Sequence, residues 1–188
     1  GDYLEIGYFE QEMPPDIETT CLEEIWKEFP GFTQYEVRSA LAKCGLTTTH
    51  IESKVKVLSG GEQAKVRLCK LINRPSNILV LDEPTAMLDP VGRQEVISTV
   101  QRLNQQQGIT VINITHFMEE AALSDRVLVM KQGKLVQEGK PEEIFQNIEA
   151  MKKLGLDVPV ATELAYRLQK KGLPITKAIT RQEALIEA

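Results

Sequence analysis

Leu4, Ile6 and Tyr8 alternate with acidic or small residues, a period of two that predicts a half-buried strand running into Gln11 before Pro14-Pro15 stops it. Two helices follow, each opened by a capping-box pattern: Thr20 with Glu23 ahead of Ile25, Trp26 and Phe29, then Thr33 with Glu36 ahead of Val37 and Leu41. Gly45 is placed to close the second in the left-handed region, which a residue without Cβ enters at no steric cost. A further helix begins at Ser59 and runs through Ala64, Leu68 and Leu71 until Pro75 forbids continuation.

The pattern then changes. Residues 78–81 and 109–115 are continuous apolar runs, the mark of strands buried on both faces of a parallel sheet. Between them Val96, Ile97, Val100 and Leu103 carry helical spacing closed by Gly108, so the stretch reads as one right-handed βαβ unit. Residues 126–130 and 135–137 flank Lys131-Gln132-Gly133-Lys134, a tight-turn composition that predicts a hairpin extending the sheet edge. Pro141, with Glu142 and Glu143 in the first turn, starts a helix through Phe145. Beyond Met151 come short helices, one over 162–171 ended by Gly172 and one opened by Thr180 with Glu183, read as a small C-terminal appendage.

Composition narrows the partners rather than the fold. At 188 residues and 42% hydrophobic the chain can bury a substantial core, and a formal charge of −5 provides no global basic field for nucleic acid or anionic lipid. No direct DNA binding is expected. No apolar run approaches the roughly 20 residues that span a bilayer, and the opening residues lack the basic start and apolar core of a signal peptide, so a membrane role would be peripheral. Cys21, Cys44 and Cys69 are odd in number and lack C-x-x-C spacing; they fit a reducing cytoplasm and buried apolar positions.

The candidate chemistry lies in two segments. Phosphate set against a helix N-terminus meets unpaired N–H groups and the positive end of the dipole, and glycines allow close backbone approach. Ser59, Gly60 and Gly61 offer that arrangement. Alone, Ser59 with Glu62 is one more capping box. The full string Leu58-Ser59-Gly60-Gly61-Glu62-Gln63, followed nineteen positions after Gln63 by Asp82-Glu83-Pro84-Thr85 at the end of an apolar strand, says more. In open α/β sheets the carboxyl ends of strands face the ligand crevice, which is where Asp82 and Glu83 fall.

These segments resemble the signature and Walker B motifs of ATP-binding-cassette (ABC) ATPases. The resemblance implies ATP and Mg²⁺ as ligands, with Ser59, Gly60, Gly61 and Gln63 in the segment that binds the γ-phosphate held by an opposite subunit. It implies that Asp82 supports Mg²⁺ and that Glu83 polarises the attacking water. Thr85 to Asp89 matches the family's D-loop, with Asp89 touching the partner. His116, after Ile114-Thr115, matches the switch histidine beside Glu83, and Gln11 resembles the Q-loop glutamine that contacts Mg²⁺ and the water. His50 reads as exposed loop. No G-x-x-x-x-G-K-[ST] phosphate loop occurs in these 188 residues, although the family's chemistry needs one.

Two resemblances meet at Leu81-Asp82-Glu83-Pro84-Thr85. Residues 1–85 resemble the second cassette of ABC-F proteins, which act on ribosomes; residues 86–188 resemble the ATPase subunit of energy-coupling-factor (ECF) transporters for vitamins and metal ions. The implied fold class is α/β, a P-loop NTPase-like ABC ATPase domain, incomplete at its N-terminus, with a helical subdomain and a C-terminal helical appendage. Its segments are 1–76 (Q-loop strand, helical subdomain, signature helix), 77–150 (Walker B, D-loop and H-loop α/β core) and 151–188 (dimerisation appendage). The implied function is the ATPase subunit of an ECF importer, paired with a second ABC ATPase subunit and a transmembrane component on the cytoplasmic face of the membrane. The alternatives are a cytoplasmic ABC-F factor bound to the ribosome and a non-catalytic fragment.

Overall fold

In a computed structural model, the structure describes residues 4–9, 17–175 and 179–180. The fold divides between Ile114 and Thr115 into two compact units, taken in turn below.

The first unit begins with β1 (Ile6–Phe9) and the helices α1 (Cys21–Glu28), α2 (Gln34–Lys43) and α3 (Thr48–Glu52). The predicted capping boxes form: the Glu23 amide donates to Thr20 Oγ1 at 3.2 Å while the Thr20 amide donates to Glu23 Oε2 at 2.8 Å, and Thr33 with Glu36 repeats the exchange. Each reciprocal pair satisfies two donors that a helix start leaves open. Gly45 takes φ +81° after α2, and the Leu46 amide reaches back to the Leu41 carbonyl, so the chain reverses where expected. The helix α4 (Gly60–Asn73) ends two residues before Pro75.

Cys21, Ile25, Val37, Leu41, Ile51, Val55 and Val66 form a helical core. The three cysteines are free and buried within it. Burial pushes the Cys21 thiol up to about 11. A hydrogen bond with Cys44, reinforced by burial, raises Cys69 as well. Ion pairs tie this helical layer to α4: Lys70 Nζ lies 2.5 Å from Glu24 Oε1, and Arg74 bonds Glu28.

The strands β2 (Ile78–Asp82) and β3 (Thr110–Ile114), with α5 (Pro90–Gln107) between them, complete a three-stranded parallel sheet in the order β1-β2-β3. Ile6 pairs with Ile78 and Ile78 with Thr110, so segments on either side of residue 76 share one sheet. The inward face carries Phe9, Leu79 and Leu81, packed with Leu68 and Leu71 of α4 and Val96, Val100 and Leu103 of α5. This corrects the alternation expected for β1: Leu4, Ile6 and Tyr8 form its exposed face, while Phe9 faces the core with Gly7, where a Cβ would come within 2.8 Å of Leu71. It also corrects the expectation for residues 109–115. Ile112 and Ile114 are about half exposed, so β3 is covered on one face only.

The second unit holds α6 (Met118–Ala121), β4 (Val127–Lys131), β5 (Lys134–Gly139), α7 (Pro141–Phe145), α8 (Ile148–Leu154) and α9 (Val160–Lys170). Gln132 and Gly133 both take positive φ, as a two-residue hairpin turn that follows strand twist requires. The expectation that this hairpin extends the parallel sheet is corrected: among the described residues β4 and β5 form a sheet of their own. Met151 and Val158 pack with Met118, Val129, Phe145 and Ile148, so the chain beyond residue 150 shares a core with what precedes it. Gly172 ends the α9 region at φ +89°; the helix expected to be opened by Thr180 with Glu183 falls on residues 181–188, outside the described residues.

Leu41 has no exposed surface in the helical core. Leu41→Ala should therefore lower unfolding stability by about 2–5 kcal/mol, read from urea denaturation, whereas a loss within experimental error would show that the helical core is not tightly packed.

Candidate functional site

The N-terminus of α4 is built by Ser59, whose Oγ accepts from the Glu62 amide at 3.3 Å while Glu62 Oε2 accepts from the Ser59 amide at 2.8 Å. Ser59 and Gly60 are exposed there, and Gly61 is buried. Gly61 is required by packing against backbone, whereas Gly60 faces the tip of a flexible side chain. A Cβ on Gly60 would lie 2.9 Å from Leu88 Cδ2, and one on Gly61 would lie 2.9 Å from the Cα of Gly92. Helix α4 thus meets the start of α5 backbone to backbone. Gln63 turns back to donate from Nε2 to the Leu58 carbonyl at 3.0 Å, fixing the turn before the helix. Two residues on, the buried Lys65 reaches Glu95 of α5 at 2.5 Å.

At the carboxyl end of β2, Asp82 Oδ2 accepts from the Tyr8 hydroxyl at 3.1 Å. That hydrogen bond, with the nearby carboxylate charge, holds the Tyr8 phenol above its ordinary value, so Tyr8 keeps its proton and acts as donor. Glu83 follows at φ +48°, a left-handed conformation that costs a residue with Cβ roughly 1–2 kcal/mol. Its amide donates to the Ile114 carbonyl at 2.9 Å, and its carbonyl accepts from the Ala86 amide at 3.2 Å. The chain is therefore bent off the strand at the residue whose carboxylate is of interest. Thr85, with no exposed surface, accepts the Leu88 amide at its carbonyl. The exposed Asp89 then caps α5, taking the Gly92 amide on Oδ1 at 3.1 Å ahead of Pro90 at the first helical position.

Ser59, Gly60, Gly61, Gln63, Asp82, Glu83 and Asp89 all lie in the first unit, in two clusters: the α4–α5 junction and the end of β2. His116 opens the second unit, exposed, with its ring 4.1 Å from that of Phe117. Gln11 lies outside the described residues. The expectation for His50 is corrected: it sits in α3, its Nδ1 accepts from the Thr47 amide at 3.3 Å, and its Nε2 lies 3.2 Å from Glu62 Oε1. Burial works to raise the Glu62 pKa, but hydrogen bonds from the Ser59 amide and hydroxyl and the charges of His50 and Lys65 outweigh it and lower the value. Below that lowered value the carboxylate would protonate and the junction would lose this acceptor. Sequence reasoning missed Tyr8, His50, Lys65 and Gly92 as parts of the site. Only Gly92, three residues beyond the helix-capping Asp89, carried a local signal. Among the described residues no cluster of three or more His, Cys, Asp or Glu side chains forms a protein-only metal cage.

The strained backbone at Glu83 gives a test independent of activity. Both Glu83→Gly and Glu83→Ala delete the carboxylate, but only glycine relieves the positive φ, so the glycine variant should be more stable than the alanine variant by about 1 kcal/mol in thermal or urea unfolding. Equal stabilities would show that the bend at this residue is not left-handed.

The chain is similar to known proteins in sequence and in fold. A family model described as ABC transporter matches residues 3–86. The energy-coupling factor transporter ATP-binding protein EcfA1 of Caldanaerobacter subterraneus subsp. tengcongensis is 53% identical over 131 residues, covering 70% of this chain and 47% of that protein. The uncharacterized ABC transporter ATP-binding protein YfmM of Bacillus subtilis is 64% identical over 96 residues, covering 51% of this chain and 18% of that protein. Together the two shares exceed the whole chain, so the matches overlap. Among solved structures, cbiO1 from Clostridium perfringens, part of the ABC transporter complex cbiONQ, is similar at TM-score 0.66 and 27% identity over 89% of this chain and 65% of that one. The chain spans about half the length of the EcfA1 relatives it matches. Its motifs, its fold and its relatives agree that the chain belongs to the ABC ATPases, as part of a nucleotide-binding domain with the P-loop NTPase-like fold.

Proposed function

We propose that this chain supplies the signature, Walker B, D-loop and switch elements of an ATP-hydrolysing subunit in an ECF-type importer for vitamins or metal ions. The observation that carries the reading is the acidic pair Asp82-Glu83 at the carboxyl end of the central parallel strand, with Glu83 held off the strand axis. Such a pair suits phosphoryl transfer, which depends on positioning a nucleophile and neutralising charge. Mg²⁺, when bound with ATP, supplies the positive charge that offsets the phosphates. Asp82 is the residue to hold it, directly or through water, steadied by Tyr8; Gln11 is the second candidate. Glu83 orients the attacking water and accepts its proton, and His116 senses the γ-phosphate.

Ser59, Gly60, Gly61 and Gln63 present the α4 N-terminus to phosphate held by a second ABC ATPase subunit, and Asp89 touches that subunit. The exposure of Ser59, Gly60 and Asp89 supports action across an interface. Residues 151–188 help pair the two subunits, which would dock on a transmembrane component at the cytoplasmic face. No helix among the described residues is long and apolar enough to cross a membrane, which fits a peripheral place. The ribosome-bound alternative gains no support from the named relatives, each called a transporter ATP-binding protein.

Because Asp82, Glu83 and His116 need a phosphate loop, the 188-residue chain alone should neither bind Mg-ATP tightly nor release phosphate. Titration with a fluorescent ATP analogue measures this, and micromolar affinity with Mg²⁺-dependent turnover would overturn it. When a phosphate-loop segment is supplied, Glu83→Gln should reduce turnover at least 100-fold while sparing nucleotide binding, since it removes the base and leaves the phosphate contacts. Loss of binding in place of turnover would remove Glu83 from the proposed role.

A further inference from the structure

Gly45 follows α2 at φ +81°, and side chains of α4 and α5 close around the space that a Cβ there would take. Arg102 Nη2 stands 3.5 Å from that point, Thr99 Oγ1 3.7 Å and Lys65 Nζ 3.9 Å. Two cations therefore converge beside one glycine. Lysine is almost never buried without a partner, yet only 7% of the Lys65 side chain is exposed. Its partner is Glu95, 2.5 Å away and 47% exposed. The carboxylate is free to turn out to water, whereas the enclosed ammonium cannot follow it. Arg102 adds a second charge: Nη2 donates to the Lys43 carbonyl at 2.7 Å, and among the described residues the guanidinium meets no carboxylate. The rest of its fork of N–H groups is open to another acceptor. The Thr99 hydroxyl donates to the Glu95 carbonyl at 2.8 Å, so it lines the space without adding a donor.

These cations stand at one end of an open cleft of about 560 Å³ that follows α5 from Pro90 and Val91 to Arg102. Small-molecule sites fall in this range, about 300–1,000 Å³. At the far end, roughly 16 Å away along the helix axis, Val91 is 66% exposed and offers an apolar wall. Among the described residues Glu95 is the one acidic side chain that lines the cleft, so Lys65 and Arg102 outnumber it. Ser59, Gly60 and Gly61 do not line it, and Lys65 lies roughly 9 Å up α4 from Ser59. The cleft is separate from the signature turn.

Charge and shape narrow the ligand. A carboxylate would only replace Glu95 like for like, whereas a phosphate dianion brings a second charge and enough oxygens to meet both cations. A guanidinium fork and a lysine point charge are the two usual partners of phosphate. We propose that this cleft is an anion-binding site for a phosphate monoester. The phosphate displaces the Glu95 carboxylate and sits between Lys65 and Arg102, and the organic body lies along α5 towards Val91.

The test titrates the isotope-labelled 188-residue chain with inorganic phosphate and, in parallel, with phenyl phosphate at constant ionic strength, following backbone amides by NMR. Both should saturate at the Gly45 amide, with phenyl phosphate binding several-fold more tightly and also shifting Val91. Lys65→Met and Arg102→Gln should each weaken binding about tenfold, because each removes a charge-assisted contact. Glu95→Gln should tighten it, because it removes the competing carboxylate; a Lys65–Glu95 pair that serves structure alone gives no such gain. Circular dichroism checks that each variant is folded, and if one of the two weakening variants is not, the other and Glu95→Gln still decide. Four results would each overturn the proposal: no saturation, an equal response to chloride, equal affinity for the two phosphates, or no gain in Glu95→Gln. Shifts confined to Gly60 and Gly61 would do so as well, by placing the anion at the start of α4.

Discussion

Burial of Leu79 and Leu81 beneath α4 and α5 is the constraint on which the rest of the first unit depends. It fixes which face of β2 points inward, and because side chains alternate, a slip of one residue would turn Asp82 into the core. With the register held, β1 and β3 pair on either side, and Asp82 emerges on the open face within reach of Tyr8. The acidic pair is thus set by apolar packing on the other side of the sheet. Its chemistry and its placement come from different residues.

The second fixed point is the contact between Gly61 and Gly92. A side chain at Gly61 would hold the helices apart, and one at Gly92 would crowd the Asp89 carboxylate that caps α5. Glycine lets the backbone of the signature turn rest on that of the D-loop helix, and the Lys65–Glu95 pair closes the contact further along. Since Asp89 caps the same helix that Gly92 belongs to, the two loops assigned to phosphate and partner contact share one support. Lys70 and Arg74 tie the neighbouring helical layer to the same helix, α4.

Local signals were legible in the sequence. The boxes at Thr20, Thr33 and Ser59 need only residues three apart, and the chain stops at Gly45 and Gly108 follow from backbone freedom, so each formed where its pattern stood. The ends of β2 and α4 were equally clear. What could not be read was anything that depends on distant partners. Tyr8 and Asp82 are 74 residues apart, and His50 meets Glu62 only after α3 packs near the signature turn. The faces of β1 and β3 were misjudged for a related reason: an apolar strand residue signals that cover is needed, not that this stretch of chain supplies it. The hairpin was assigned to the wrong sheet because a turn fixes the pairing of two strands and says nothing of a third.

The cysteine core gives the helical layer a built-in reporter. Cys21, Cys44 and Cys69 are sealed among Ile25, Val37 and Leu41, and the thiols of Cys21 and Cys69 are held well away from the reactive thiolate form. A thiol reagent in solution can reach them only when that layer opens. The rate of alkylation therefore counts openings of the helices beside the signature turn, without a label or an engineered residue, and a partner that clamps the turn would be visible as slower chemistry in a core it never touches.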